Sequence, residues 1–170
     1  YIAVLDADDV SHPERLHLQA NHLDTHHDVV LVASYAAMID ADSKVLQSCM
    51  AIPLTDDVLR WRLLSGNCFV HSTLMFRKEA ALKAGAYNAQ MSCAEDMDLI
   101  CRIMLQGKLA AIPRILSSWR SHQVSYTQQA LDKILAGTFA ILQSNAQRIL
   151  GLSISHELAQ ALHSSQAANP

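Results

Sequence analysis

Three carboxylates, Asp6, Asp8 and Asp9, fall within four residues directly after the apolar run Ile2–Leu5. Packed together, they repel and raise one another's pKa. A divalent cation removes that conflict, and magnesium and manganese take oxygen ligands of this kind together with substrate phosphates. The alternative is structural: Asp8 and Asp9 start a helix, where anions are favoured. A second acidic pair, Glu95-Asp96, stands at the start of another predicted helix and allows the same two readings, general base or helix-start carboxylate. His22 and His26 lie four apart on a predicted helix and could share a metal, with no third ligand evident nearby. Cys49, Cys68, Cys93 and Cys101 form no C-x-x-C pair and fit no zinc spacing, so they read as buried or free thiols of a reducing compartment.

Those residues need elements to hold them. Ile2–Leu5 reads as a buried strand, and ligands of open α/β sheets bind at the C-terminal ends of such strands. Ser11 reads as the N-cap of a helix running to His26, with Pro13 early, Glu14 at the capping-box position, and Leu16, Ala20 and Leu23 facing inward. Val29–Ala33 reads as a strand parallel to the first, joined by a right-handed crossover. Tyr35–Ile39 and Lys44–Ser48 flank a turn at Asp40–Ser43. Thr55 caps a helix that stops near Gly66, and Ser72–Arg77 reads as a strand before a short helix ending at Gly85. Glu95–Gln106 reads as a helix with Leu99, Ile100, Ile103 and Met104 on one face and Gly107 as its stop. Two short strands, Leu109–Ile112 and Ile115–Trp119, surround Pro113. A long amphipathic helix covers Gln128–Leu150, and a last one Ser155–Ser164.

Bulk properties narrow the class. The chain has 170 residues, 51% hydrophobic and 17% charged, which suits one globular domain with a real core. A net charge of -3 gives no nucleic-acid footprint. No stretch approaches the roughly 20 apolar residues that span a bilayer.

Three segments together resemble family 2 glycosyltransferases of the GT-A fold. "YIAVLDADDVSHPERLHLQANHLDTHHDVVLVAS" carries an Asp-X-Asp after a strand, then a helix start in Ser-X-Pro-X-Arg-Leu, matched by Ser11, Pro13, Arg15 and Leu16. "NCFVHSTLMFRKEAALKAGAYNAQMSCAEDMDLICRI" is similar to the later segment, with Ala80-Ala81 counted as one residue over. "SWRSHQVSYT" is similar to the Arg-X-His-X-X-Ser strand. The resemblance spans Tyr1–Thr127.

It implies an α/β fold: a truncated GT-A, Rossmann-like mixed sheet flanked by helices over residues 1–127, with a C-terminal helical extension over 128–170. It also implies a sugar transferred with inversion from a nucleotide donor, a UDP-sugar, to a hydroxyl acceptor, with envelope polysaccharide synthesis as the setting. Asp8 would ligate Mg²⁺ or Mn²⁺ on the donor diphosphate, and Asp6 would support the ribose or the metal's water shell. Asp96 would be the general base, His122 a third metal ligand or phosphate contact, and Arg120 a phosphate contact. His71 and Arg77 match as packing or acceptor-pocket residues; Trp61 and Trp119 read as core or rim. The family's nucleotide-binding half precedes the Asp-X-Asp and is not in this sequence. That predicts an exposed first strand and a homodimer through that edge, in a cytoplasmic or membrane-peripheral protein. Two alternatives remain: a non-catalytic oligomeric remnant of such a domain, and a haloacid-dehalogenase-type phosphatase with Asp6 as nucleophile and Asp8 as acid.

Overall fold

The computed structural model describes residues 1–91, 93–121 and 130–168. In chain order the strands are β1 (Ile2–Ala3), β2 (Val10–Ser11), β3 (Val29–Ile39), β4 (Val45–Met50), β5 (Met75–Phe76) and β6 (Lys108–Arg120). The helices are α1 (Arg15–Thr25), α2 (Asp56–Leu63), α3 (Lys78–Lys83), α4 (Glu95–Ile103), α5 (Leu131–Asn145) and α6 (His156–Ala168). The strand order is β1-β5-β3-β6-β2, with β4 also paired to β3. The result is a mixed sheet flanked by helices, a GT-A-like α/β fold.

β3 is the spine. Its run VVLVASYAAMI is buried along nearly its whole length, as a central strand covered on both faces should be. It pairs in parallel with β6 and antiparallel with β4 and β5. β1 and β3 are both antiparallel to β5, so they run parallel to each other as predicted. They are not neighbours, however, because β5 lies between them. β1 ends the strand order and is exposed, with Ile2 pairing to Phe76.

Several local expectations change. Ser11 is not an N-cap: it sits in β2, opposite Ser117 of β6, and α1 starts at Arg15. The inward face of α1 is Arg15, Gln19 and Leu23, whereas Leu16 is 56% exposed. The two strands foreseen around Pro113 are one strand, β6. Its pairing moves from Ser34↔Ile112 to Tyr35↔Ile115, so Pro113 and Arg114 bulge out. Tyr35–Ile39 continues β3 and pairs with β4 across the predicted turn. In that turn the Asp40 carboxylate accepts from the Asp42 and Lys44 amides at 2.9 and 2.8 Å.

One core joins β3 to α2, α4 and α5 through Leu59, Leu63, Met97, Ile100, Phe139 and Leu142. A smaller one lies under α1, around Leu23, Val32 and Met75. α5 therefore packs into the main core. No disulfide joins the cysteines; burial raises the Cys68 thiol to about 11 and that of Cys101 to about 12.

Candidate active site

The loop after β1 carries Asp6 to the edge of an open cavity of about 440 Å³. Asp96 reaches the same cavity from the first turn of α4, and Glu95 and Met97 flank it there. Phe69, Val70 and His71 contribute from the segment before β5, Trp119 from β6, and Ile134 and Thr138 from α5. Two carboxylates ninety residues apart in sequence thus line one pocket.

α4 begins abruptly. Its N-cap, Ala94, has φ 57° and ψ 24°, the left-handed conformation that an L-residue adopts at a cost. A β-carbon on Gly137 would lie 3.3 Å from the Cys93 carbonyl, so α5 passes directly against this turn. Three acids open α4, and the structure separates their roles. Asp98 is buried against Arg102, whose Nε and Nη2 bind one carboxylate oxygen at 3.0 and 2.6 Å. Asp96 instead accepts from Asn67 Nδ2 at 2.9 Å, and Asn67 Oδ1 is fixed by the Phe69 amide at 3.0 Å. Burial pushes the Asp96 carboxyl up, and the Glu95 charge adds to this. A half-buried carboxyl with a raised pKa suits general-base work.

Asp6 is held from two sides. Its amide donates to Ser72 Oγ at 2.9 Å, and its carboxylate meets His71 Nδ1 at 3.3 Å. The other imidazole nitrogen of His71, Nε2, lies 3.0 Å from the Tyr87 hydroxyl. The His71 hydrogen bond holds the Asp6 carboxyl below its usual range. Burial depresses His71, but Asp6 and the charges of Asp96 and Glu95 outweigh it and leave its pKa raised. Asn67, His71 and Tyr87 are site neighbours that residue-type reasoning missed. His71 was visible as a motif position; nothing in the sequence marked Asn67.

Asp8 is exposed in the turn beyond Asp6. Asp9 folds inward: one oxygen accepts from the Arg120 amide at 2.8 Å, and the other is buried with no hydrogen-bond partner among the described residues. Burial raises its pKa, and the charges of Asp6 and Asp8 raise it further. The acids of this turn do press on one another. Arg120 braces the turn, donating from Nε to the Asp8 carbonyl at 2.7 Å and from Nη1 to the Asp40 carbonyl at 2.7 Å. His122 lies outside the described residues. Among those described, no three His, Cys, Asp or Glu side chains gather as a metal site. His22 and His26 stack with ring centroids 4.2 Å apart. Arg77 is structural, donating to the carbonyls of Val29 at 2.8 Å and Leu23 at 2.6 Å. Trp61 is 70% exposed and away from the cavity.

The backbone arrangement is similar to the crystal structure of S. aureus TarS 1-349, with a TM-score of 0.58 over 94% of this chain and 43% of that one, at 12% identity. The family model for glycosyl transferase family group 2 matches residues 1–130. The chain belongs to glycosyltransferase family 2. Among curated relatives, it is 32% identical over 121 residues to the amylovoran biosynthesis glycosyltransferase AmsE of Erwinia amylovora, covering 71% of this chain and 44% of that protein. It is 27% identical over 152 residues to the O-antigen biosynthesis glycosyltransferase WbnJ of Escherichia coli, covering 88% and 58%. The chain thus spans about half the length of these relatives. The family match sets the phosphatase alternative aside. No helix among the described residues is long and apolar enough to cross a membrane.

Proposed function

We propose that the chain forms the acceptor side and the metal turn of an inverting, metal-dependent glycosyltransferase. It would transfer a sugar from a UDP-sugar to a hydroxyl during synthesis of an envelope polysaccharide, in the cytoplasm or at the membrane surface. The observation that carries this reading is the shared cavity of Asp6 and Asp96, with the Asp96 pKa raised by burial.

Asp96 accepts the proton of the acceptor hydroxyl as its oxygen attacks the anomeric carbon. Asn67 fixes the direction of the carboxylate, so that it is already aimed before substrate arrives. Single displacement at that carbon inverts its configuration. Asp6, held by His71 and Ser72, would support the donor's ribose or the metal's water shell. Asp8 would hold Mg²⁺ or Mn²⁺, with donor phosphates and water completing the shell. Such ions use few protein carboxylates, and the mutual repulsion and orphaned Asp9 oxygen of this turn fit a nearby cation. The ion would stabilise the departing diphosphate as a Lewis acid. A homodimer through the exposed edge of β1 belongs to the same reading.

The test is transfer from UDP-sugars by the full-length protein. Asp96→Asn should lower kcat by ~10²–10⁴, and Asp8→Ala should abolish the response to Mn²⁺. Wild-type turnover in both variants would overturn the assignment. Light scattering at high dilution tests the dimer, which a clean monomer contradicts.

A further inference from the structure

We propose that the cavity selects an uncharged glycoside with an apolar face and turns away acceptors bearing a carboxylate or phosphate. This rests on the acceptor reading above and adds the chemical class of the acceptor. Carboxylates dominate the charged groups of the cavity. Asp6, Glu95 and Asp96 line it, and His71 is its only lining side chain able to carry positive charge among the described residues. That imidazole already spans Asp6 at 3.3 Å and Tyr87 at 3.0 Å. Arg120, on the strand that supplies Trp119, spends Nε and Nη1 on backbone carbonyls of the two adjacent turns.

Much of the remaining lining is apolar. Phe69, Met97, Trp119 and Ile134 line the same cavity as the acids. A pyranose has the matching duality: hydroxyls on its rim and a C–H face that packs on aromatic and aliphatic side chains. About 440 Å³ holds one such ring with room for part of a second. An acceptor carboxylate placed about 6 Å from one of these acids, at an effective dielectric near 40, would lose about tenfold in affinity to that pair alone.

The chain contains two tryptophans. Replacing the exposed one, Trp61→Phe, leaves Trp119 as the sole indole reporter on the cavity wall. Methyl β-galactoside, methyl β-glucoside and methyl β-glucuronide are titrated at neutral pH and low salt. The neutral glycosides should shift the emission saturably. The glucuronide should bind at least about tenfold more weakly, and Glu95→Gln or added salt should narrow that gap. Equal or tighter glucuronide binding, a gap unmoved by Glu95→Gln and salt, or no saturable shift with neutral glycosides would overturn the inference. Mn²⁺ titrated with UDP on the same protein separates the two readings. Glycoside failure with UDP–Mn²⁺ binding intact removes this inference alone. Glycoside binding in a chain that ignores UDP and Mn²⁺ supports it while removing the donor reading.

Discussion

Replacing Arg15 with Met should cost the fold about 2–4 kcal/mol, although the change removes a buried charge. Arg15 is 1% exposed. Its Nη2 donates to the Val4 carbonyl at 2.7 Å and the Leu74 carbonyl at 2.9 Å, and its Nε to Gln19 Oε1 at 3.0 Å. Gln19 continues the stitch, donating to the Thr73 and Val32 carbonyls at 2.7 and 3.2 Å. Methionine keeps the stem's volume but leaves the Val4 carbonyl and Gln19 Oε1 without their donor, each worth about 1–3 kcal/mol when buried, while the Leu74 carbonyl keeps the Val4 amide at 3.0 Å. Against that stands the relief of desolvation, the cause that lowers the Arg15 pKa. No carboxylate pairs with Arg15 among the described residues, so no counter-charge is orphaned by the change. The balance is a net loss of about 2–4 kcal/mol, or a fall in Tm of roughly 5–15 °C for a domain of this size. Thermal unfolding followed by circular dichroism measures it. Arg15→Lys, which keeps charge and one donor head, should fall between Met and wild type. An Arg15→Met variant melting within about 1 °C of wild type would refute the reasoning, because the stitched carbonyls would then have found other partners at no cost.

Three further outcomes follow from the same geometry. Asp96→Asn should be as stable as wild type or more so at neutral pH. A carboxyl whose folded pKa is raised is no burden below its unfolded value, near 3.8, and destabilises increasingly as pH rises through its folded value. Tm against pH should therefore fall less steeply above pH 4 in the variant than in wild type; parallel curves would contradict the burial argument. Ala94→Val places a β-branched residue at φ 57° and should cost about 2 kcal/mol or more in urea unfolding. It should also lower kcat, since the turn aims Asp96; unchanged stability would show that the turn yields freely. Gly107→Ala should cost about 1–3 kcal/mol, because its β-carbon would sit 2.5 Å from Val30 Cγ1 and 2.8 Å from the Asp28 carbonyl; a melt unchanged from wild type would mean that β3 shifts without cost.

Much of the architecture was legible because its signals are local. The apolar run of β3, the turn at Asp40–Ser43 and the stop at Gly107 are each written in a few adjacent residues. The misreadings have a common cause, which is that a distant partner overrode a local signal. Ser11 has the composition of an N-cap, yet sheet pairing with Ser117 claims its backbone. The first two turns of α1 present Arg15 and Gln19 inward, one residue from the Leu16–Ala20 face, because hydrophobic periodicity gives no weight to an arginine and a glutamine as core residues. Their inward face makes sense only once the carbonyls of Val4, Leu74, Thr73 and Val32 are seen opposite them. Pro113 looked like a break between strands, and a bulge in β6 absorbs it.

The same long-range logic explains the motif around the site better than its chemistry alone does. Arg15 does not touch the cavity, yet its two carbonyl partners flank the acidic and imidazole arms of it. Val4 is two residues before Asp6, and Leu74 closes the turn that carries His71 and Ser72. Asp6 then meets both residues of that turn, through its carboxylate to His71 and its amide to Ser72. Ser117 of β6 donates to the Ser72 carbonyl at 2.8 Å and locks the turn from the far side. The spacing from Asp6 to Arg15 is thus the length of chain needed to leave β1, make the acidic turn, pair β2 with β6 and bring a helix back beneath the strand it left. A carboxylate at position 6 is correctly placed only if that return is completed, so the arginine nine residues later belongs to the site as its foundation rather than as one of its reagents.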